Sequence, residues 1–513
     1  MNKLSFVFFL IISSVSVTAQ NPIVDSTYFF GGATTGSFDI SYARAVQKTM
    51  DGGYIIAGAT SVPHVQAVNY HGSMDGFVVK LNSALELEWS RCYGSNLSED
   101  IVDIKQDNVG NYILAGNSGA NFYVVKTDNN GNVIWETIYG NPVGPEICKS
   151  IDILSDGSII VAGTNTEYDA PLNGTTNTYN ISVIKINPQT GAVVNQYIYG
   201  GSRHDYGNSI VASNNGGFFV AGQTFSSSGD VTCRSYAYCE SDFFLISADS
   251  NGNIIDSDCF AVTSNFANNF NLVNKIINTS DGGQLLLGKG RGNGNTGAVG
   301  QQDFRAIKID ANGLVQWEKH YGGYENDEGI SAKQTSDGGY ILVGKTSSNS
   351  GQISNPSSYY VSQDGWIVKI SATGVLEWNR KIGGGSIDEF FDVEEMSPNE
   401  FIVVGETRST NFDCATSGGR RFWVSKISNS LLSTSDQNSN TNFIYPNPAN
   451  NILYLSESFH VTEVFISDMS GRKLIYKKAE GITQVDVSAM TTGIYLVTVR
   501  SAGKYISQKI IKN

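Results

Sequence analysis

This 513-residue sequence predicts an all-β fold of short antiparallel strands, on three observations. An apolar segment closed by glycine recurs seven times along the chain. Each copy is followed by strand-like alternation and tight Asn-Gly-type turns. The composition is rich in glycine (55) and in Tyr and Phe (25 each), with 16% charged residues and 10 prolines. That is too much aromatic and branched residue for disorder, and too little Ala, Glu, Lys and Leu for a helical bundle. The net charge of −14 argues against nucleic acid or an anionic membrane surface as partner.

The chain opens with Lys3, an apolar run Leu4–Ile12 and then Val17-Thr18-Ala19. This reads as a secretory signal peptide, residues 1–19, cleaved between Ala19 and Gln20. The run is too short to span a membrane, and no later segment is long and apolar enough, so no transmembrane segment is expected. Export makes disulfides available to the six cysteines. Cys233 and Cys239, close together in a loop, are the candidate pair, and the spacings match no zinc pattern.

The repeats run from 20 to 428. The apolar segments end at Gly58, Gly116, Gly163, Gly222, Gly288, Gly344 and Gly405, and Asp337-Gly-Gly-Tyr-Ile-Leu-Val-Gly344 is representative. A second motif, such as Asp75-Gly-Phe-Val-Val-Lys80, follows each copy. A third is a turn, then Trp, then Tyr-Gly, as at Trp317 to Tyr321. Each unit thus holds four strands, and repetition of one sheet per unit reads as a seven-bladed β-propeller. Six fourth-strand endings follow seven copies of the middle strands. The missing one is Tyr28-Phe29-Phe30 at the N-terminus, so the N-terminal strand is expected to close the ring.

The connections between second and third strands are long and irregular, and the functional face is expected there. The same rim collects acids. Asp75, Asp242, Asp303 and Asp364 precede third strands, while Asp205, Asp327 and Asp388 sit before first strands, with Glu99 equivalent. They could form a ring for calcium or a cationic ligand, or each could accept N–H bonds in its own turn. Recurrence favours the second reading, because a ligand site breaks symmetry. Calcium at these acids is the one cofactor entertained. The third-strand lysines read as solvated or paired across strands, and the Trp residues as packing between sheets. The five His form no metal spacing, and no P-loop or nucleophile elbow occurs. No catalytic residue is assigned; His204-Asp205 is the one acid–base neighbour pair.

Residues 429–441 are polar and read as a linker. From 442 to 513 the balance turns basic, with eight Lys/Arg against five Asp/Glu, and the strands suggest a small β-sandwich. Tyr445-Pro446-Asn447-Pro448-Ala449, then Asp468-Met-Ser-Gly471-Arg, Asp486-Val-Ser, Gly493-Ile-Tyr495-Leu-Val and Lys509-Ile-Ile-Lys512 follow in order. This segment resembles the type A C-terminal sorting domain of the type IX secretion system. The resemblance implies a Bacteroidetes-type bacterium, handling by the type IX machinery, passage through the periplasm, and release or surface attachment. The repeats also resemble bacterial seven-bladed propeller repeats, a family that implies no shared activity. The leading expectation is a non-catalytic secreted or surface propeller binding a glycan, matrix or protein partner. The alternative is an extracellular polysaccharide lyase or hydrolase using the rim acids.

Overall fold

The computed structural model describes residues 23–30, 40–62, 68–140, 144–168, 177–232, 241–261, 271–291, 301–353, 362–410, 419–429, 444–456, 460–468, 473–501 and 504–513. None of them is helical. The chain divides into two compact units, Met1–Ser430 and Leu431–Asn513. Ala19, Gln20, Cys233, Cys239 and Gly471 lie outside the described residues.

The described strands of the first unit form seven four-stranded antiparallel sheets. The first sheet runs Ser41–Lys48, Tyr54–Thr60, Asp75–Leu81 and Leu87–Tyr93, neighbours in sequence and in space. Five sheets repeat this meander, with first strands Glu99–Gln106, Ile147–Ile153, Asp205–Ala212, Leu272–Asn278 and Asp327–Gln334. The last holds Asp388–Ser397, Glu400–Thr407 and Arg421–Ser428, and its fourth strand is Ile23–Phe30 from the N-terminus. One predicted connection, 164–180, is shorter than expected because Ile159–Tyr168 and Asn177–Ile186 extend into it.

Third strands such as Asp303–Ile309 and Asp364–Ile370 are buried along their whole length. Their sheets lie between neighbours on both faces, so continuous apolar runs replace simple alternation. Core clusters span consecutive sheets: Leu285, Leu287 and Phe304 pack with Tyr340, Leu342 and Trp366. The last sheet packs on the first in the same way, with Phe77 edge-on to Phe422 at 5.4 Å between ring centres. Tyrosines ending the fourth strands reach a turn of the next sheet. Tyr93, Tyr199 and Tyr321 donate to the carbonyls of Gly131, Gly252 and Gly374 at 2.8, 2.7 and 2.7 Å.

Of the two readings for the third-strand lysines, the structure shows pairing across strands rather than solvation at three of them. Lys80, Lys308 and Lys369 are buried, and each pairs at 2.9 Å with the aspartate of the first turn of its own sheet: Asp51, Asp281 and Asp337. The hairpin brings that carboxylate to the lysine ammonium, so burial is compensated by an ion pair whose aspartate stays half-exposed.

The closing glycine of each repeat has a steric cause. Every first strand carries one extra residue, a β-bulge, opposite this glycine: Arg44, Val102, Lys149, Asn208, Asn274, Ile330 and Phe391. A Cβ at Gly58, Gly116, Gly163, Gly222, Gly288, Gly344 or Gly405 would collide with a first-strand carbonyl oxygen. The bulge turns that oxygen toward the second strand, and only hydrogen leaves room for it.

The second unit holds two sheets. One is Ile444–Tyr445, Ile452–Leu455 and Gln484–Asp486; the other is Lys473–Lys478, Val461–Asp468, Gly493–Ser501 and Lys504–Lys512. Leu453, Leu455, Val464, Ile466, Val497 and Val499 share one core between them.

If the bulge carbonyl dictates the glycine, Gly344→Ala must push the Glu328 carbonyl away. The expected cost is about 1–3 kcal/mol or more, read by urea unfolding. An unchanged midpoint would sink the account.

Candidate functional site

A bulge bends its strand and re-aims the extra side chain. Repeated on every first strand, it turns Arg44, Val102, Lys149, Asn208, Asn274, Ile330 and Phe391 into one cavity of about 440 Å³. The lining comes from the early part of first strands and the last residues of second strands, such as Asn117 and Lys345. The cavity therefore lies toward the end where the second-to-third connections emerge. Sequence reasoning missed it. The signal was present, since each closing glycine marks a bulge one strand earlier.

Side chains at this level stitch consecutive first strands together. Asp103 accepts from Ser150 Oγ and Ile151 N at 3.0 and 3.1 Å. Asp152 accepts from Ala212 N at 2.8 Å. Asn208 and Asn274 donate to the Val273 and Gly329 carbonyls at 2.9 and 2.8 Å. Asp392 accepts from Ser331 Oγ at 2.6 Å and from Val46 N of the first sheet at 2.9 Å. The remaining acids are matched locally. Glu328 pairs with Lys289 and Glu389 with Lys345, at 2.9 and 3.2 Å. Burial opposes ionisation of Asp103, but Lys275 and Lys105 hold its carboxyl below the usual carboxylate range.

Arg44 stacks on the Phe391 and Tyr42 rings, 4.1 and 4.7 Å from their centres. Its Nε is buried without a hydrogen-bond partner. Burial and then the Arg44 guanidinium lower the pKa of Lys149, with Asp100 acting against them.

The rim acids occupy the strand positions that the sequence indicates, and they do not converge on one point. Asp205, Asp327 and Asp388 open first strands and Asp75, Asp242, Asp303 and Asp364 open third strands, all at most 2% exposed. Asp205 accepts from Thr224, from Ser226 Oγ at 2.8 Å and from Gly201 N at 2.8 Å. Asp327 and Asp388 repeat this with Thr346, Ser348 and Gly323, and with Thr407, Ser409 and Gly384. Glu99 does the same with Ser118 and Ser95. Asp75 accepts from His71 N at 2.7 Å. A cation at Asp205, Asp327 or Asp388 would have to displace bonds already made, and among the described residues no three metal-ligating side chains cluster. Beside Asp205, His204 accepts from Tyr179 N at 3.3 Å. The turn aspartates Asp128, Asp249 and Asp310 accept N–H bonds from their own turns. Of the remaining cysteines, Cys92 and Cys148 are buried free thiols and Cys259 is disulfide-bonded.

Some acids meet across sheets. Asp303 with Asp327, and Asp364 with Asp388, fill the space where a Cβ would stand at Gly322 and Gly383. This explains the glycine that follows the fourth strand. Lys381 pairs with Asp364 at 3.0 Å. Burial outweighs that pairing, and Asp388 adds repulsion, so the Asp364 carboxyl is pushed up to about 6. The folded protein therefore binds this proton more tightly than the unfolded chain, and its stabilising effect fades as pH rises through that value. Asp364→Asn should gain on the native protein by about 3 kcal/mol between roughly pH 4 and pH 7, in urea unfolding at several pH values. A difference constant with pH would refute the shift.

The second unit gathers the motifs of its own sequence. Asn447 accepts from Ile511 N at 2.8 Å, while Ala449 and Asn513 complete the seam at 2.7 and 2.9 Å. Asn447 and Ala449 thus lie along the last strand, while Tyr445 pairs with Tyr454. Asp468 is opposite Tyr495, Gly493 opposite Lys512 and Leu496 opposite Lys509. The Tyr495 hydroxyl donates to Thr491 O at 2.8 Å.

No curated protein matches the chain. Among solved structures it is similar to the extracellular domain of a hybrid two-component system from B. thetaiotaomicron (12% identity, 96% of this chain, TM-score 0.41), and spans 60% of that domain's length. It is also similar to catalytically inactive virginiamycin B lyase from Staphylococcus aureus with quinupristin (10% identity, 79% of this chain, 99% of that one, TM-score 0.41). A third is Drosophila Plexin A in complex with Semaphorin 1b (7% identity, 80% and 88%, TM-score 0.41). Residues 443–513 match the secretion system C-terminal sorting domain. That segment is a sorting domain of the type IX secretion system, and the chain that carries it is exported to the cell surface or the medium.

Proposed function

We propose that, after loss of residues 1–19, the chain is a non-catalytic seven-bladed β-propeller that binds a glycan, matrix or protein partner outside the cell. The pairing of Ile23–Phe30 with Arg421–Ser428 supports closure of the ring, as do the Val46–Asp392 bond and the Phe77–Phe422 contact. A ring closed in this way leaves each sheet only a short outer edge. One observation carries the binding role. The framework residues repeat from sheet to sheet, whereas the cavity-lining bulge residues differ in nearly every one. A packing position repeats with the fold; a recognition position need not. The polysaccharide-acting alternative needs acids that reach a substrate, and the rim acids are buried, with Asp205, Asp327 and Asp388 held by neighbouring hydroxyls and N–H groups.

Closure is tested by Thr27→Cys with Ser425→Cys, residues opposite in register whose hydroxyls lie 3.1 Å apart. The oxidised variant should melt higher than the reduced one; equal melting would mean the N-terminal strand does not hold the last sheet. For function, the exported protein is screened on a glycan and matrix-protein array with and without EDTA. Binding that survives EDTA is expected, since the proposal contains no metal. Binding abolished by EDTA would restore calcium at the rim acids, and silence on the whole array would end the adhesion reading.

A further inference from the structure

We propose that the central cavity binds an acidic saccharide, with the oxyanion of its carboxylate or sulfate group held between Arg44 and Lys149. This deepens the binding-module reading and rests on it. Arg44 and Lys149 occupy the bulge positions of the first and third sheets. The other sheets place Val102, Asn208, Asn274, Ile330 and Phe391 there, so these two are the charged bulge residues; of the other cations lining the cavity, Lys345 pairs with Glu389 and Lys275 acts on Asp103. Among the described residues no carboxylate lies within ion-pair distance of either cation. Asp100, the nearest in effect on Lys149, is held by Asn117 at 3.0 Å.

These two cations line one cavity and Arg44 disfavours the charge on Lys149, yet the fold retains the arrangement with Arg44 fixed on two aromatic rings. A guanidinium held this way is preorganised, with its buried Nε–H still free to donate. The neighbouring acids are engaged elsewhere: Asp103 by Ser150 and Ile151, Asp392 by Ser331 and Val46. An oxyanion is the group that satisfies an arginine and a lysine together. Beside these engaged acids the lining offers the amides of Asn117, Asn208 and Asn274 and the hydroxyls of Ser150, Ser209 and Ser331, groups that suit a polyhydroxylated ligand, and the volume lies in the range of small-molecule sites.

Calorimetry of the exported protein with glucuronate, glucose 6-sulfate and glucose tests this. Glucuronate or the sulfate ester should bind and weaken as salt is raised. Arg44→Gln and Lys149→Gln should each weaken it by about tenfold or more, while Lys149→Arg retains it. The two anions separate the carboxylate from the sulfate source. Glucose binding as tightly, or full affinity in both Gln variants with unchanged thermal unfolding, overturns the inference. Array partners bound equally by native and variant protein, with no acidic sugar bound, would sink this inference and leave the binding-module reading standing. A silent array would remove both.

Discussion

The approach of a first-strand carbonyl to the closing glycine of the second strand is the contact on which the rest of the first unit depends. It recurs from Gly58 to Gly405, and in each sheet it accompanies a bulge. The bulge adds local twist, lifts one residue off the ladder and points it at the cavity. One missing methyl group per repeat therefore sets both the packing of two strands and the lining of the central space. A side chain at that glycine would press against backbone, which has nowhere to go in a close-packed sheet.

Polar groups hold the sheets to one another as much as apolar ones do. Asp392, Asp103, Asp152, Asn208 and Asn274 each reach from one first strand to the next, and their partners are backbone groups of first strands, which pair with another strand on one side only. Tyrosine hydroxyls perform the same task at the outer edge, on turn carbonyls of the following sheet. Between these rings of bonds lie aromatic and aliphatic clusters shared by consecutive sheets. A molecule with only 16% charged residues thus buries several of its charges, each beside a matched group.

The exported unit and its address are chemically distinct. The sorting unit has its own core and its own seam, where Asn447 and Ala449 lie against the final strand. Its signature residues are spread over the last seventy positions of the chain and meet only because two sheets bring them together. The address is a property of this small unit, and it leaves the chemistry of the cavity free to vary.

The sequence by itself determined the strand order and most strand ends. The fourth strands end at Tyr93, Tyr139, Tyr199, Phe260, Tyr321 and Ile382, where alternation stops and glycine or a turn follows. It also determined the sorting domain, because that signature is local in residue type and order. These features are written in near-neighbour patterning, which a chain displays without folding. The burial of Lys80 and its kin, the engagement of the rim acids and the cavity were decided by tertiary structure. Lys80 alternates with apolar residues as a solvated lysine would, and only the turn folding back places Asp51 beside it. Arg44 and Lys149 are about a hundred residues apart, on sheets separated by a third, and nothing local links them. That they line one cavity depends on how successive sheets are arranged, which is a long-range relation that local residue pattern does not encode.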